Sequence, residues 1–403
     1  MKKRLLLISA FLTAVLALCA APCVAVRAQD QGQEPAATEQ VQAAPDTPAR
    51  QAYDAKMKEY RNNLKKLREL KASFQTAKAQ QKDEIQKEFT PLVQETARIQ
   101  KELIPLAIKA FAASNGEDSE IFEFLMIMLE WGVIKTENYE TAYDIAKVLI
   151  PSGKIPEKYS YLYAYAAYAA FNVMQLDDAQ AFFDLAKQNG GMESLRKQDP
   201  RGEMQIPMIL TEYIPMYKQL WTEESAIRDK EAEANDNPRV LIRTTKGDIV
   251  LELFLKEAPE AVGNFMTLVD QKYYNGVPFH RVLPHFMAQG GDPTGTGAGG
   301  PGYCIKDECQ APNARMHFRG SLSMAKTALP DSGGSQFFLC FVPTAFLNGK
   351  HTVFGRVIEG MDILSEIQRI DPEGKNQPAP DKIVEAIILQ GKPTPFTKLP
   401  NKR

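Results

Sequence analysis

The sequence is poor in the residues that most often mark a metal or redox centre. Its 403 residues include five cysteines and four histidines, and no histidine stands at metal-ligand spacing from another ligand. An excess of charge of one sign is also missing, because 48 basic residues face 50 acidic ones. Binding to nucleic acid or to anionic membranes through the overall field requires such an excess. The composition predicts neither a metal or other cofactor nor a nucleic-acid partner.

The N-terminal segment has the form of an export signal. Residues 1–4 are basic, residues 5–21 are an apolar run, and residues 26–28 supply small side chains near a cleavage point. Residues 1–28 are therefore predicted to be a signal peptide, which places the protein outside the cytoplasm, in the periplasm or an equivalent compartment. A retained membrane anchor is the alternative, since the run approaches the length of a spanning helix. Membrane contact is expected only in that case.

Cleavage leaves three cysteines, Cys304, Cys309 and Cys340. An odd number in an exported chain leaves at least one free thiol or an intermolecular bond. Cys304 and Cys309 could pair if their loop turns tightly, and the spacing alone leaves this open. Cys340 lies in the apolar run FFLCFV and is predicted to be a small buried hydrophobe.

The first half of the mature chain is predicted to be helical. Residues 29–50 lack large apolar side chains and are expected to form a disordered linker. Residues 51–115 are rich in helix formers and predict a long helix or a helical hairpin, with a break at Pro91. Its apolar residues follow an a/d pattern at Met57, Tyr60, Leu64, Leu67 and Phe74.

Residues 116–234 have a different helical texture. The segments NYETAYDIAKVL and QLDDAQAFFDLAK share a polar entry and two spaced alanines, and they lie close to one helical-hairpin repeat apart. This region resembles a degenerate pair of tetratricopeptide-type hairpins. A spacer or a dimerisation module, which would make the protein a homodimer through these helices, is the competing interpretation.

From residue 238 the hydrophobic period changes from helical to alternating. VLIRTT and DIVLELF predict a β-hairpin that turns at Gly247, and Pro259 opens a helix. Ile363, Ile367 and Ile370 predict one face of a second helix. Many short strands with two helices favour an antiparallel barrel, closed so that no edge remains. Residues 238–391 form this domain, and residues 392–403 are a tail.

Five blocks within this domain resemble one family. FHRVLPHFMAQGGD is followed in order by GSLSMAK, GGSQFFL, LNGKHTVFG and RVIEGMD. These blocks resemble the cyclophilin-type peptidyl-prolyl cis-trans isomerases, in a bacterial and exported form. The resemblance implies a closed eight-stranded antiparallel β-barrel with two capping helices. It also implies an enzyme without a cofactor that binds proline-containing unfolded or extended polypeptides and assists the folding of exported clients.

The chemistry of prolyl isomerisation fits one residue of the first block. The amide resists rotation by roughly 18 to 20 kcal/mol because its C–N bond is partly double. A donor aimed at the prolyl nitrogen withdraws the lone pair and lowers that barrier. A guanidinium stays charged and presents several donors, and Arg281 is the arginine of the first block. By resemblance, Arg281 is the catalytic residue.

The resemblance also assigns the residues that bind substrate. A prolyl ring needs an apolar floor with few polar groups. The expected residues of the floor, the amide grip, the peptide-pairing backbone and the rim are Phe286, Met287, Gln289, Ala325, Lys326, Phe338, Phe346, Leu347 and His351. Two of them depart from the common pattern: Phe346 replaces a tryptophan that binds the inhibitor cyclosporin, and Lys326 replaces an asparagine. We expect weaker cyclosporin binding with isomerisation retained.

Other features of the sequence bear on three further functions. The glycine-rich stretch GDPTGTGAGGPG lacks the Gly-Lys-Ser/Thr of a phosphate-binding loop. Ser335 and His351 have no acid to complete a hydrolase triad. A scaffold that binds proline peptides through the barrel and docks a protein through the helices remains the alternative to an enzyme.

Overall fold

The structure is a computed structural model that describes residues 47–200, 202, 206–375 and 377–402. The predicted signal peptide and most of the predicted linker lie outside these residues. The chain divides into two compact units. The first takes the chain up to Lys135 together with Tyr139–Ala169 and Ala181–Pro200, and the second takes Thr136–Asn138, Ala170–Gln180 and Arg201–Arg403.

Helices fill the N-terminal half. They are α1 (Pro48–Thr76), α2 (Ala79–Ala113), α3 (Ser119–Trp131), α4 (Tyr139–Leu149), α5 (Tyr161–Asn172), α6 (Leu176–Gln188) and α7 (Gly191–Gln198). The first begins three residues inside the predicted linker, because the Thr47 hydroxyl accepts the Arg50 N–H at 3.1 Å and proline occupies the first turn. None of the helices among the described residues is long and apolar enough to cross a membrane.

The first two helices form a hairpin whose turn is not where the sequence predicted it. Met57, Tyr60, Leu64 and Leu67 are buried in α1, as the a/d pattern indicates. Leu67 packs with Phe89 of α2, and three partly buried residues complete this cluster: Leu70, Leu92 and Val93.

The predicted break at Pro91 is wrong, because α2 continues through Pro91 and Pro105. The chain leaves the helix instead at Ala77 and Lys78, which both take extended backbone angles. Proline removes a single backbone donor, and the packing of a long apolar face compensates for that loss.

The second unit contains an eight-stranded antiparallel sheet. Its strands are β1 (Arg239–Thr244), β2 (Asp248–Leu253), β3 (Arg281–Leu283), β4 (Met287–Gly290), β5 (Ser321–Met324), β6 (Phe337–Cys340), β7 (Val353–Glu359) and β8 (Ile383–Gln390). Their order is β3-β4-β6-β5-β7-β2-β1-β8. The hairpin predicted around Gly247 is confirmed, with Ile242 opposite Ile249.

The prediction of a closed barrel is wrong, because the sheet is open with β3 and β8 at its edges. Single contacts bridge the gap where the chain approaches these strands: the Phe279 N–H donates to the Asp381 carbonyl at 2.9 Å, and Pro278 forms an isolated bridge with Lys382. These contacts precede β3, which has only three residues, all paired with β4. The short strand leaves no continuous ladder to β8.

The two helices predicted from the sequence pack with the sheet inside this unit. Pro259 opens α10 (Pro259–Asp270) as predicted, after the short α8 (Ile206–Met208) and the long α9 (Ile214–Ala234). Phe265 of α10 is fully buried and meets the Phe337 and Phe354 rings at 5.5 and 5.4 Å. The last helix, α11 (Met361–Glu366), ends before Ile370. The predicted helical face is therefore shorter, and Ile370 bridges Val282 instead.

Buried charges join α9 to the sheet and its loops. The Arg315 side chain is only 2% exposed and bonds Glu224 at 2.8 Å and Glu231 at 2.6 Å, both from α9. Its guanidinium lies 3.9 Å from the centroid of the Phe254 ring. The Tyr217 hydroxyl of α9 also donates to the His317 carbonyl at 2.6 Å. This helix is thus an integral part of the second unit.

Candidate active site

The hairpin of β3 and β4 holds the residues of the first sequence block. Arg281 stands opposite Gln289 in the ladder, and Leu283 stands opposite Met287. The tight turn between the strands has His285 at φ 54°, which brings the chain back within three residues. The Arg281 guanidinium therefore lies 5.6 Å from the centroid of the Phe286 ring. Burial lowers the pKa of Arg281, opposed by the field of Asp371.

An apolar cluster lies beside this guanidinium. Met287, Ala325, Phe338 and Cys340 are buried together, and Leu283, Phe286 and Leu347 pack against them. Five of these seven residues were predicted to form the proline site. The cluster joins β4 and β6, where Met287 pairs with Cys340 and Gln289 pairs with Phe338, and it includes Ala325 directly after β5. The central strands therefore bring the separate sequence blocks to one place.

Two histidines flank the Phe338 ring. The His317 ring stacks on it with centroids 6.0 Å apart and planes at 3°, and the predicted residue His351 meets its edge at 5.6 Å. Burial, together with the nearby His351 and against the Asn348 hydrogen bond, lowers the pKa of His317 to about 4. Burial also lowers the pKa of His351, whose Nδ1 lies 3.0 Å from the Met324 carbonyl oxygen. Neutral rings thus support the Phe338 side chain at neutral pH.

Phe346 forms an exposed rim to the cluster. Its side chain is 51% exposed, and its ring lies 5.6 Å from that of Phe286. A one-turn 3₁₀ helix, Ala345–Leu347, carries both Phe346 and the partly buried Leu347. An exposed aromatic ring next to a buried apolar cluster can close over a ligand with little loss of side-chain entropy.

Gln289 is fixed by a relay of amides. Its Nε2 donates to Gln336 Oε1 at 2.9 Å, and Gln336 Nε2 donates to the carbonyls of Gly297 and Gly299 at 2.9 and 2.8 Å. The glycine-rich stretch is therefore tied to the site. Asp292 closes that stretch, accepting N–H bonds from Thr294, Gly297 and Gly299, so it forms a compact loop.

The predicted pairing of the Ala325 and Lys326 backbones with a peptide stays a prediction, and both residues also have contacts within the fold. The Ala325 N–H donates to the Gln336 carbonyl at 3.0 Å. The Lys326 ammonium lies 2.7 Å from Asp307. That pair is 12% and 17% exposed, which turns the lysine side chain toward the loop of Asp307.

Three members of the site were not predicted from the sequence to belong to it. Leu283 and His317 carried no local signal, since a leucine on a strand and a histidine in a loop are more often core than site. Cys340 was correctly predicted to be buried, and it is 0% exposed with a pKa raised by burial to about 12. Its place beneath the cluster depends on the register between β4 and β6, which the sequence does not specify.

The remaining chemistry-bearing residues have structural partners. The Ser335 hydroxyl donates to the Gly291 carbonyl at 2.7 Å, while His351 faces Met324. Cys304, Cys309 and Cys340 are free thiols, so Cys304 and Cys309 form no disulfide with each other. Within the described part of the chain, no cluster of three or more histidine, cysteine or acidic side chains could hold a metal ion.

A guanidinium beside an apolar cluster with an exposed aromatic rim can hold a small ring and donate hydrogen bonds next to it. The arrangement suits a reaction that needs no covalent intermediate, such as rotation about a bond to a proline.

Comparison with known proteins agrees with a reaction at a bond to a proline. The sequence profile of the cyclophilin-type peptidyl-prolyl cis-trans isomerase/CLD family matches residues 239–388. A peptidyl-prolyl cis-trans isomerase of Helicobacter pylori is 53% identical over 144 residues, covering 35% of this chain and 87% of that protein. The human peptidyl-prolyl cis-trans isomerase-like 1 is 44% identical over 153 residues, covering 37% of this chain and 91% of that protein.

Among solved structures, a cyclophilin-type isomerase of Cryptosporidium parvum is 34% identical, with a TM-score of 0.35, and the match covers 38% of this chain and 99% of that one. The chain belongs to the cyclophilin-type peptidyl-prolyl cis-trans isomerase family. It is a peptidyl-prolyl cis-trans isomerase with a long helical region before the isomerase domain.

Proposed function

We propose that this isomerase acts on X-Pro bonds of exported proteins and assists their folding, with Arg281 as the catalytic residue. The observation that carries the proposal is the Arg281 guanidinium, 5.6 Å from the Phe286 ring at the edge of the apolar cluster. A prolyl ring seated on that cluster would place its nitrogen within reach of the guanidinium donors.

The mechanism follows from the difference between the planar and the twisted amide. Twisting breaks the resonance and concentrates a lone pair on the prolyl nitrogen. A hydrogen bond from Arg281 to that lone pair stabilises the twisted form more than the planar one, which is the condition for catalysis. Phe286, Met287, Phe338 and Leu347 hold the ring by burying it, without ordered polar groups that would have to be desolvated.

The other site residues orient the peptide. Gln289, fixed through Gln336, offers its side-chain amide to the substrate backbone. The backbone at Ala325 and Lys326 pairs with the extended peptide through groups other than the Ala325 N–H. Phe346 and His351 border the ring from two sides.

Export and client handling are the wider part of the proposal. The basic start, apolar run and small residues within positions 1–28 support a cleaved signal and a periplasmic location. The helical region lies outside residues 239–388, which the family profile matches. We propose that these helices hold unfolded clients or join two copies of the chain, which light scattering after size exclusion would distinguish.

The refolding of a large protein whose slow phase is proline isomerisation tests the client role. Wild-type enzyme should speed the slow phase and limit aggregation. Arg281→Ala should lose the first effect and keep the second, because the helices retain their surface. A photo-reactive residue at Lys65, exposed on α1, should cross-link the unfolded client, and one at the exposed Lys246 should not. Equal capture at both positions would contradict a role for the helices.

A further inference from the structure

A carboxylate from outside the matched residues 239–388 reaches the turn that carries Phe286. Glu137 lies in the segment Thr136–Asn138, which belongs to the second unit although the residues on both sides belong to the first. Its side chain is 1% exposed, and its backbone takes φ 52°. A buried charge in a sparsely populated backbone conformation persists only where surrounding contacts compensate for it.

Those contacts go to two elements of the isomerase domain. One carboxylate oxygen accepts the His285 N–H at 2.9 Å. The other accepts two bonds from the Arg369 guanidinium, at 2.6 and 3.1 Å. The Glu137 carbonyl accepts the Ser365 hydroxyl at 3.2 Å. These bonds link the segment to the turn between β3 and β4, to α11 and to the residues that follow α11, and hydrogen bonds to charged groups are among the stronger ones in proteins.

These partners hold Phe286 from both sides. His285 immediately precedes Phe286 and takes a φ of 54°. The hydrogen bond from its N–H to Glu137 therefore holds the backbone next to Phe286. The Phe286 carbonyl accepts the Phe341 N–H at 2.9 Å. The Arg369 guanidinium that Glu137 fixes lies 4.2 Å from the centroid of the Phe341 ring. One carboxylate therefore supports the turn directly and supports Phe341, the hydrogen-bond partner of Phe286, through Arg369.

We propose that Glu137 is a positioning residue of the isomerase, supplied by the helical region of the sequence. It touches no substrate. It fixes the turn between β3 and β4 so that Phe286 faces Arg281 and completes the floor for the prolyl ring. The inference rests on the proposed role of Phe286 in binding substrate.

The kinetic signature follows from the way in which the residue acts. Without Glu137 the turn samples other arrangements, and only a fraction of the molecules presents Phe286 correctly at any time. The apparent affinity for substrate falls by that fraction. We expect KM for an X-Pro peptide to rise roughly tenfold if about a tenth of the molecules stay competent. The value of kcat should stay within about twofold, because Arg281 is intact in the molecules that bind.

The experiment uses the full chain with Glu137→Ala and Glu137→Gln, and Glu140→Gln as the matched control. Glu140 is an exposed carboxylate three residues along, at the start of α4. Glu137→Gln keeps an oxygen for the His285 N–H and removes the charge that pairs with Arg369, so it tests the idea if Glu137→Ala does not fold. We expect a raised KM for both variants, larger for alanine, and wild-type constants for the control.

A double-mutant cycle with Phe286→Ala separates positioning from a general loss of stability. If Glu137 acts through Phe286, Glu137→Gln should have no further effect on KM once the ring is gone. An equal effect in both backgrounds, or no effect in either, overturns the inference. If Phe286→Ala alone has the wild-type KM, the role of Phe286 fails and this inference fails with it. That result is distinguishable because it leaves the isomerisation by Arg281 unaffected.

Discussion

At the residue scale, the sequence predicted the residues that are proposed to act on the substrate, but it did not predict the residues that hold them in place. Arg281, Phe286 and Phe338 lie in blocks whose resemblance to one family indicated a shared site, and the structure places them around one cluster. Glu137 and His285 are 148 positions apart. No local pattern predicts such a pair, because a buried glutamate is recognisable only by the partners that the fold brings to it.

His317 makes the free energy of unfolding depend on pH. Burial places its pKa at about 4 in the folded protein, below the ordinary value near 6.5. The neutral ring contributes stability in full above pH 6.5, and this contribution is lost as the pH falls from 6.5 toward 4. We expect the free energy of unfolding to fall by about 2 to 3 kcal/mol between pH 7 and pH 4.5 through this group.

Urea denaturation at the two pH values measures that change, with His317→Gln as the comparison. The variant keeps hydrogen-bonding groups for Ser323 and Asn348, which contact the His317 ring nitrogens at 3.0 and 2.9 Å. It should show a smaller difference between the two pH values than the wild type. The same difference in both proteins would mean that the His317 ring is already charged in the folded state, or that it is as accessible to protons there as in the unfolded chain.

At the scale of elements, the confirmed predictions are those that depend on interactions between residues close together in the sequence. The hairpin around Gly247 and the helix at Pro259 were predicted because turn and cap residues act within a few positions. The break at Pro91 and the closure of the sheet were wrong, since both depend on what packs or pairs at a distance. The association of α9 with the sheet was likewise invisible, because its charged surface resembles that of a solvated helix.

That association makes Arg315 a strong stability determinant. Its side chain and that of Glu224 are 2% and 7% exposed. Removing one partner of a buried ion pair leaves the other charge uncompensated, at a cost of about 3 to 5 kcal/mol. We expect Arg315→Ala to lower the free energy of unfolding of the second unit by about that amount, as measured by urea denaturation.

The matched control is Arg243→Ala, an arginine of β1 that pairs with Asp248 and Glu385 while 45% exposed. Exposed pairs contribute less than about 1 kcal/mol. Its unfolding should therefore stay close to the wild type. If the two substitutions cost the same, the α9 ion pairs are too hydrated to hold the helix against the sheet.

At the scale of the whole molecule, an isomerase domain of known family follows a helical region that lies outside the matched residues 239–388. The match to residues 239–388 accounts for the apolar cluster and Arg281. It omits α9 and the segment of Glu137, both of which contact that domain within the second unit. Some residues that precede the family domain therefore belong to the same compact unit as that domain. The client role of the remaining helices is a separate question.

The most direct test of the central claim is the value of kcat/KM for a short X-Pro peptide with Arg281→Ala in the full chain. Loss of a donor that acts on the transition state typically costs a factor of 100 to 1,000. We expect a fall of roughly 100-fold with unfolding unchanged, while Arg243→Ala keeps the wild-type value. An Arg281→Ala enzyme as fast as the wild type would contradict the mechanism.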